Sequence, residues 1–428
     1  MSCPTSKHNN MIPLTSRSLL WAVVTILTVF CLPFQGYGRS HVSHPNVKTL
    51  QAVVNDDWQS LPLMKLREDV LHVDFDELSH DYHRYVYRLE RCEYDWTPSD
   101  NIFESDWLEG FNNNPIEDYE NSLNTTVLYT HYSLEIPNER CRLKMSGNYR
   151  LHIVDEESDE EVAYVEFMIV EPLMNVGLSV TNNTDIDVNK RYQQAAMTVR
   201  YNSLRVTNPE EQIKTVVMQN GREDTMKRDV QPNHVTTDGL RWEHNRSLIF
   251  EGGNEYHKFE VLDVSHPTMG IDRILWDGQH YQAFPFVNNP RRNYVYDEDA
   301  DGAFLIRNSD NTESERTCDY VYVNYKLQPA QLYQGASVIV DGLWTTESAD
   351  TYHMTYDESD RSYNACILQK QGYFSYQYLL RDMDGTVHTL PEEGSFAETE
   401  NKYQALVYYK GTGERTWRLV GFQQIVYK

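Results

Sequence analysis

From residue 47 onward the chain is a succession of short runs in which apolar and polar residues alternate, separated by turn-forming residues. No stretch sustains the 3.6-residue apolar period of a helix. In Leu71-His72-Val73-Asp74-Phe75 the apolar side chains fall on one face, as do Tyr85, Tyr87 and Leu89, and Tyr149, Leu151 and Ile153 after the turn Ser146-Gly147-Asn148. A period of two with one apolar face predicts half-buried antiparallel sheet. The aromatic content agrees with this reading, because 30 tyrosines against 14 phenylalanines, with many Val and Thr, suit a pleated surface better than a helix.

The runs fall into three sets. The first closes with residues 162–170, and Glu171-Pro172 ends it because proline cannot donate to a ladder. A second set runs from Val176-Gly177-Leu178 through 196–201, 213–218, 259–264 and 274–281, with the hairpin signal Asn220-Gly221. Pro285, Asn288-Asn289 and Pro290 break the pattern, and an acidic stretch follows. The third set starts at Tyr320, turns at Asp341-Gly342 and Asp384-Gly385, and includes 405–409 and 417–427. Each set has about the length and strand count of an immunoglobulin-like or fibronectin-like β-sandwich. The expectation is therefore all-β: a leader over 1–38, sandwiches at 39–172 and 173–287, an acidic linker at 288–317, and a last sandwich at 318–428. No fixed-period repeat suggests a propeller or solenoid.

Lys7 and Arg17 precede an apolar run over 19–34 and the small-residue ending Gly36-Tyr37-Gly38, the layout of a secretory signal cut after Gly38. The run is short for a membrane span and nothing later is comparably apolar, so no direct lipid insertion is expected. Lipidation at Cys31 is disfavoured by the bulky Phe30 before it. Removing the leader takes away two basic residues and no acidic one, moving the net charge from −26 to −28. Nucleic acid and anionic lipid headgroups both need basic patches, and the longest local basic runs, Arg291-Arg292 and Lys227-Arg228, are dipeptides. Neither is expected as a partner.

Four cysteines remain, Cys92, Cys141, Cys318 and Cys366, in a chain expected to leave the reducing cytoplasm. Pairing within the first set and within the third is the simplest of three connectivities, and buried free thiols are the alternative. Asp297-Glu298-Asp299-Ala300-Asp301-Gly302 places carboxylates at positions 1, 3 and 5 of a turning loop, the spacing that can aim oxygens at calcium. Asn308 at position 12 and the lack of flanking helices exclude an EF-hand, and a solvated acidic linker is the alternative. No other cofactor is suggested. The signatures HExxH and GxSxG, a phosphate-binding glycine loop and a nucleophilic-cysteine motif are all missing from the sequence, which predicts no enzyme.

Residues 76–82 (Asp-Glu-Leu-Ser-His-Asp-Tyr), Tyr87-Arg88-Leu89-Glu90 and Asp95-Trp96 resemble the type IX secretion plug family of Bacteroidota. So does the string Gly110-Phe111-Asn112-Asn113-Asn114-Pro115-Ile116-Glu117-Asp118-Tyr119, with 124–132, 183–187, 243–246, 250–256 and 294–299. The resemblance spans nearly the whole chain after the leader. It implies a periplasmic protein at the inner face of the outer membrane that binds the large translocon β-barrel and closes its periplasmic opening. Cys141 stands where the family pattern has an aliphatic residue.

In that setting the loop bearing Phe111, Asn112, Asn113, Asn114, Pro115, Glu117, Asp118 and Tyr119 is expected to form part of the barrel-facing surface. A local turn framework explains the asparagines but not the two aromatics. A loop folded onto its own domain is the alternative. Residues 336–380 also resemble glycogen-binding, early-set modules through Val338, Gly342-Leu343-Trp344, Met354, Asp357 and 373–378. Sugar binding is not expected there, since those modules stack sugars on two exposed tryptophans and only Trp344 lies near. A carbohydrate-binding accessory protein is the competing reading, favoured if Trp58, Trp107 or Trp344 is exposed.

Overall fold

The computed structural model describes residues 40–428. The leader and Cys31 lie outside them. Among the described residues no helix is long and apolar enough to cross a membrane. Among the described residues the regular structure is nearly all strand, with helices of one turn.

The first sandwich packs two sheets. One is ordered His41–Val42, Glu161–Val170, Gly147–Asp155, Tyr85–Cys92, Asn114–Pro115, with Leu63–Lys65 running parallel to Glu161–Val170. The other is ordered Val47–Val54, Leu71–Glu77, Thr130–Ile136, Asp118–Asn121. Alternation decides what lies between them: Val73, Phe75, Tyr87, Leu89, Tyr149, Leu151 and Ile153 all point into one buried core.

The second sandwich is discontinuous in sequence. One sheet holds Asn175–Thr181, Tyr192–Arg200, Gly239–Trp242 and His234–Val235, with Ile249–Glu251 beside Tyr192–Arg200. The facing sheet is ordered Lys227–Arg228, Ile213–Gln219, Asn401–Tyr409, Arg418–Tyr427. Ile213 pairs with Tyr409 and Gln219 with Tyr403, and Trp242, Phe250, Tyr403, Ala405 and Val407 share one core.

The third sandwich is inserted between Ile249–Glu251 and Asn401–Tyr409. Its strands form a continuous ten-stranded sheet, from His257–Val261 through Gly372–Asp382 and Ala336–Asp341 to Tyr320–Leu327, Tyr281–Pro285 and the edge strand Ile271–Trp276. They enclose Phe259, Tyr325, Trp344, Phe374 and Tyr376.

Three sequence expectations change here. The strands at 401–409 and 418–427 belong to the second sandwich and not to the third. Conversely, 257–261, 271–276 and 281–285 belong to the third, so no boundary falls at 287. Residues 288–317 are no linker: Phe304–Ile306 pairs with Gly372–Phe374, and Ala300 and Ala303 are buried. The physical reason is common to all three. Alternation shows that a strand has a half-buried face, but partner choice across some 190 residues leaves no local mark.

The two crossings between the second and third sandwiches run side by side. The Gly253 N–H donates to Ser395 Oγ at 3.0 Å, the Phe396 N–H to the Gly253 carbonyl at 2.8 Å, and Asn401 Nδ2 to the Gly252 carbonyl at 2.8 Å. A Cβ at Gly252 would lie 1.9 Å from the Phe396 carbonyl oxygen, so only glycine fits. The motif at 250–256 is therefore the stitched joint of the insertion. The first and second sandwiches share a further apolar core, with Cys92, Trp96, Met168 and Val170 from one and Val216, Met218, Tyr408, Trp417 and Leu419 from the other.

Candidate functional site: an aromatic loop on the first sandwich

The loop at 110–121 is anchored from inside and aromatic outside. Leu108–Gly110 pairs with Cys141–Leu143, and the Phe111 N–H donates to the Arg140 carbonyl at 3.0 Å. Asn112 brackets Leu89: its Oδ1 accepts the Leu89 N–H at 2.7 Å and its Nδ2 donates to the Leu89 carbonyl at 2.9 Å. Asn113, at φ 91°, accepts from Arg88 Nε at 2.8 Å. The buried Asn114 donates to the Phe111 carbonyl at 2.7 Å and, with Pro115, pairs with Val86 and Tyr87. Ile116 is buried, and Glu117 forms an ion pair with Arg140 at 2.6 Å.

The asparagines and Pro115 thus build a turn on their own domain. The Phe111 backbone takes part in it, but its side chain does not, and the residue is 76 % exposed. Asp118 and Tyr119 stand on the edge strand Asp118–Asn121, and the Tyr119 ring stacks on Tyr82 at 4.4 Å with both rings partly open to solvent. Tyr82 closes the 76–82 motif; its exposure was the feature the sequence did not reveal. Phe103, also exposed, lies at 5.7 Å from Arg415.

The aspartates of the 297–302 loop do not converge. Asp297 pairs with Lys258 at 2.6 Å, Asp299 accepts the N–H groups of Tyr256 and Asp301, and Asp301 pairs with Lys402 at 3.3 Å. Among the described residues no group of three or more His, Cys, Asp or Glu side chains is arranged to hold a metal. The loop is solvated, as the alternative reading had it, only at Asp297 and Glu298; Ala300, Asp301 and Gly302 are buried.

Burial, helped by the Asp301 charge, pushes Asp299 up to about 8, and burial lifts Asp301 to about 6 against the pull of Lys402. Both shifts are upward from 3.8, so the folded state favours the protonated acids. Their contribution to stability is full in acid and is lost as pH rises through about 6 and then about 8. Asp299→Asn removes the charge and keeps the shape. Its melting temperature relative to wild type is expected to rise steadily from pH 5 to pH 9 in a fluorescence melt; a pH-independent difference would contradict the assignment.

All four cysteines are unpaired thiols, the alternative that the sequence left open beside the two possible bridges. Cys92 follows Tyr87 by five positions on one strand and so faces the opposite way, into the core shared with the second sandwich, while Cys141 lies against the Tyr87 hydroxyl at 3.4 Å in the first core. Tyr320 pairs with Lys370, four residues from Cys366, roughly 13 Å along the strand at 3.3 Å per residue, and Cys318 lies beyond it. A disulfide needs Cα atoms within about 7 Å. Burial pushes the Cys92 and Cys318 thiols up to about 12, which leaves them unreactive while covered.

Of the three tryptophans singled out for a sugar platform, none is open, although Trp276 on an edge strand of the third sandwich is half exposed. Trp107 and Trp344 are buried, the Trp344 Nε1 donating to the Ser375 carbonyl at 3.0 Å, and Trp58 is half-buried against Tyr373.

Residues 47–171, the sandwich that carries the aromatic loop, match the family described as "Type 9 secretion system plug protein 1st domain". A crystal structure of a hypothetical protein from Parabacteroides merdae superposes on this fold with a TM-score of 0.88 at 32% identity, covering 92% of this chain and 100% of that one. No curated protein matches. The first sandwich is thus identified both by its residue pattern and by the family match, and the whole fold recurs in a relative aligned over nearly the full length: the chain belongs to the type IX secretion system plug protein family.

Proposed function

We propose that this protein is a non-catalytic periplasmic subunit that binds the outer-membrane translocon barrel of the type IX secretion system and closes its periplasmic opening. The observation that carries the reading is the plug-domain match over 47–171, which contains the exposed Phe111 and the Tyr82–Tyr119 stack. A pore wide enough for folded cargo leaks small solutes when empty, and a multi-sandwich body can obstruct it sterically. Exposed aromatics held on a rigid framework suit docking, since they bury large area at small entropic cost. The net charge of −26 suggests that basic loops of the barrel steer association, which then weakens with salt.

The test is affinity isolation of the tagged mature chain from detergent-solubilised outer membrane of its own host. A very large β-barrel is expected in near-equal amount. The double substitution Phe111→Ala, Tyr119→Ala is expected to lower that recovery at least ten-fold without lowering the melting temperature, because neither ring belongs to the core. Failure to retain any barrel, with retention on polysaccharide resin, would overturn the reading in favour of sugar binding.

A further inference from the structure

The first sandwich touches its two neighbours through joints with different centres. Its contact with the second is built around a shared apolar core, with Arg91 and Asn148 hydrogen-bonded at its edge. Its contact with the third is centred on buried polar and charged pairs, with the ring contacts Trp58–Tyr373 and Tyr129–Tyr320 beside them, and among the described residues no apolar cluster contains members of both. At the centre Asp76 and Lys370, each 1 % exposed, form an ion pair at 2.7 Å. The other Asp76 oxygen lies 2.7 Å from His131 Nδ1, and the Tyr320 hydroxyl donates to Asp76 at 2.7 Å. Lys370 also donates to the Glu315 carbonyl at 2.5 Å and lies 4.2 Å from the Tyr129 ring centroid.

The periphery repeats the pattern. Asp319 accepts from Thr126 N at 2.8 Å and Val127 N at 3.1 Å; Tyr129 Oη donates to the Cys318 carbonyl at 2.7 Å; Lys48 pairs with Glu347 at 2.5 Å. An open cleft of about 510 Å³, lined by Asp74 and His131 on one side and Leu305 and Lys370 on the other, enters the same joint.

We propose that the joint between the first and third sandwiches is a separable polar latch centred on Asp76 and Lys370, while the joint between the first and second stays closed. A buried ion pair regains its hydration when the two surfaces part, so it adds little net to closure although losing one partner is costly. An apolar core has no such compensation, because parting it exposes Met168, Trp417 and Leu419 to water. Polar interfaces between domains of one chain are those at which relative motion is the default.

The protein's own cysteines report on each joint. Cys318 is buried beside Tyr129 in the polar joint, Cys92 in the apolar joint, Cys141 in the first core, and Cys366 is exposed. Alkylation of the full mature chain under native conditions, followed by peptide mass mapping, is expected to modify Cys366 first, then Cys318, at least ten-fold ahead of Cys92 and Cys141. Lys370→Met leaves the Asp76 charge buried without its lysine partner, faced only by His131 and the Tyr320 hydroxyl. It is expected to accelerate Cys318 at least a further ten-fold with Cys92 and Cys141 unchanged. Adding Asp76→Asn to it, which removes that charge and still accepts from Tyr320, is expected to return the rate towards wild type. Modification of Cys318 no faster than Cys92 in the wild-type chain, or a parallel rise of all three buried thiols in Lys370→Met, would overturn the latch.

Discussion

Replacing residues 256–392 with a short flexible linker is expected to leave a soluble, cooperatively melting protein, whereas ending the chain before Asn401 is expected to abolish soluble expression. The first expectation follows from the two crossings. Gly253 is hydrogen-bonded directly to Ser395 and Phe396, so a linker of about four residues, at up to about 3.5 Å each, closes the gap without strain. The excision leaves the first core, the second core and the apolar core between them intact.

The truncation does the reverse. It removes two strands of the four-stranded sheet and strips Tyr403, Leu406, Val407, Tyr408, Leu419 and Val420 from two cores. Each fully buried side chain of this size contributes about 1.5–3 kcal/mol. Six of them together match or exceed the roughly 5–15 kcal/mol that holds a domain folded. Soluble yield, circular dichroism and a thermal melt decide the matter. A truncated chain that melts like wild type would show that the C-terminal strands do not complete the second sandwich.

The second large effect is expected at Arg91. This residue is 3 % exposed, and its guanidinium donates to the carbonyls of Ser146 at 2.8 Å and Trp417 at 2.5 Å, and also to that of Cys92. It therefore joins a strand end of the first sandwich to the C-terminal strand region of the second. The neighbouring backbone is shaped around it: Gly147 has φ 138°, and a Cβ there would lie 2.3 Å from the Arg91 guanidinium.

Arg91→Leu removes the donors and leaves buried carbonyls without partners. The expected loss is about 3–5 kcal/mol. Arg91→Lys is expected to recover only part of it, because an ammonium cannot reproduce a planar fork aimed at several carbonyls. Thermal melts of both variants measure this, with a fall on the order of 10 °C expected for the leucine variant. A fall of only a degree or two would mean that water replaces the guanidinium and that the carbonyls were never dependent on it.

The sequence was most legible where one strand decides its own burial. Leu71, Val73 and Phe75 point inward because a period of two against one core leaves no other choice, and Asn220-Gly221 turns the chain with both residues at positive φ. It was least legible where the partner is distant. Nothing local to 403–409 distinguishes pairing with 213–219 from pairing within the third set. Cys92 and Cys141 fall in one domain, yet the odd spacing from Tyr87 to Cys92 sends them to opposite faces, a fact visible only once the strand is fixed. Asp301 stood as a candidate calcium ligand because its partner, Lys402, lies a hundred residues away on a strand assigned to another domain.

The candidate loop shows both sides. Its asparagines and proline form the expected turn framework, while the outward pairing of Tyr119 with Tyr82 depends on an edge strand that brings residues 37 positions apart into a stack. Phe111 could be singled out from sequence because no turn needs an aromatic there. Tyr82 could not, because tyrosines serve as core residues throughout this fold.

The central claim, that this chain closes the translocon, is tested most directly by ion conductance through the purified host barrel in a planar lipid bilayer, with the mature protein added from the periplasmic side. Wild-type protein is expected to abolish the conductance at saturation, and the Phe111→Ala, Tyr119→Ala variant to need at least ten-fold more protein to do so. Unchanged conductance with wild-type protein bound to the barrel would contradict it.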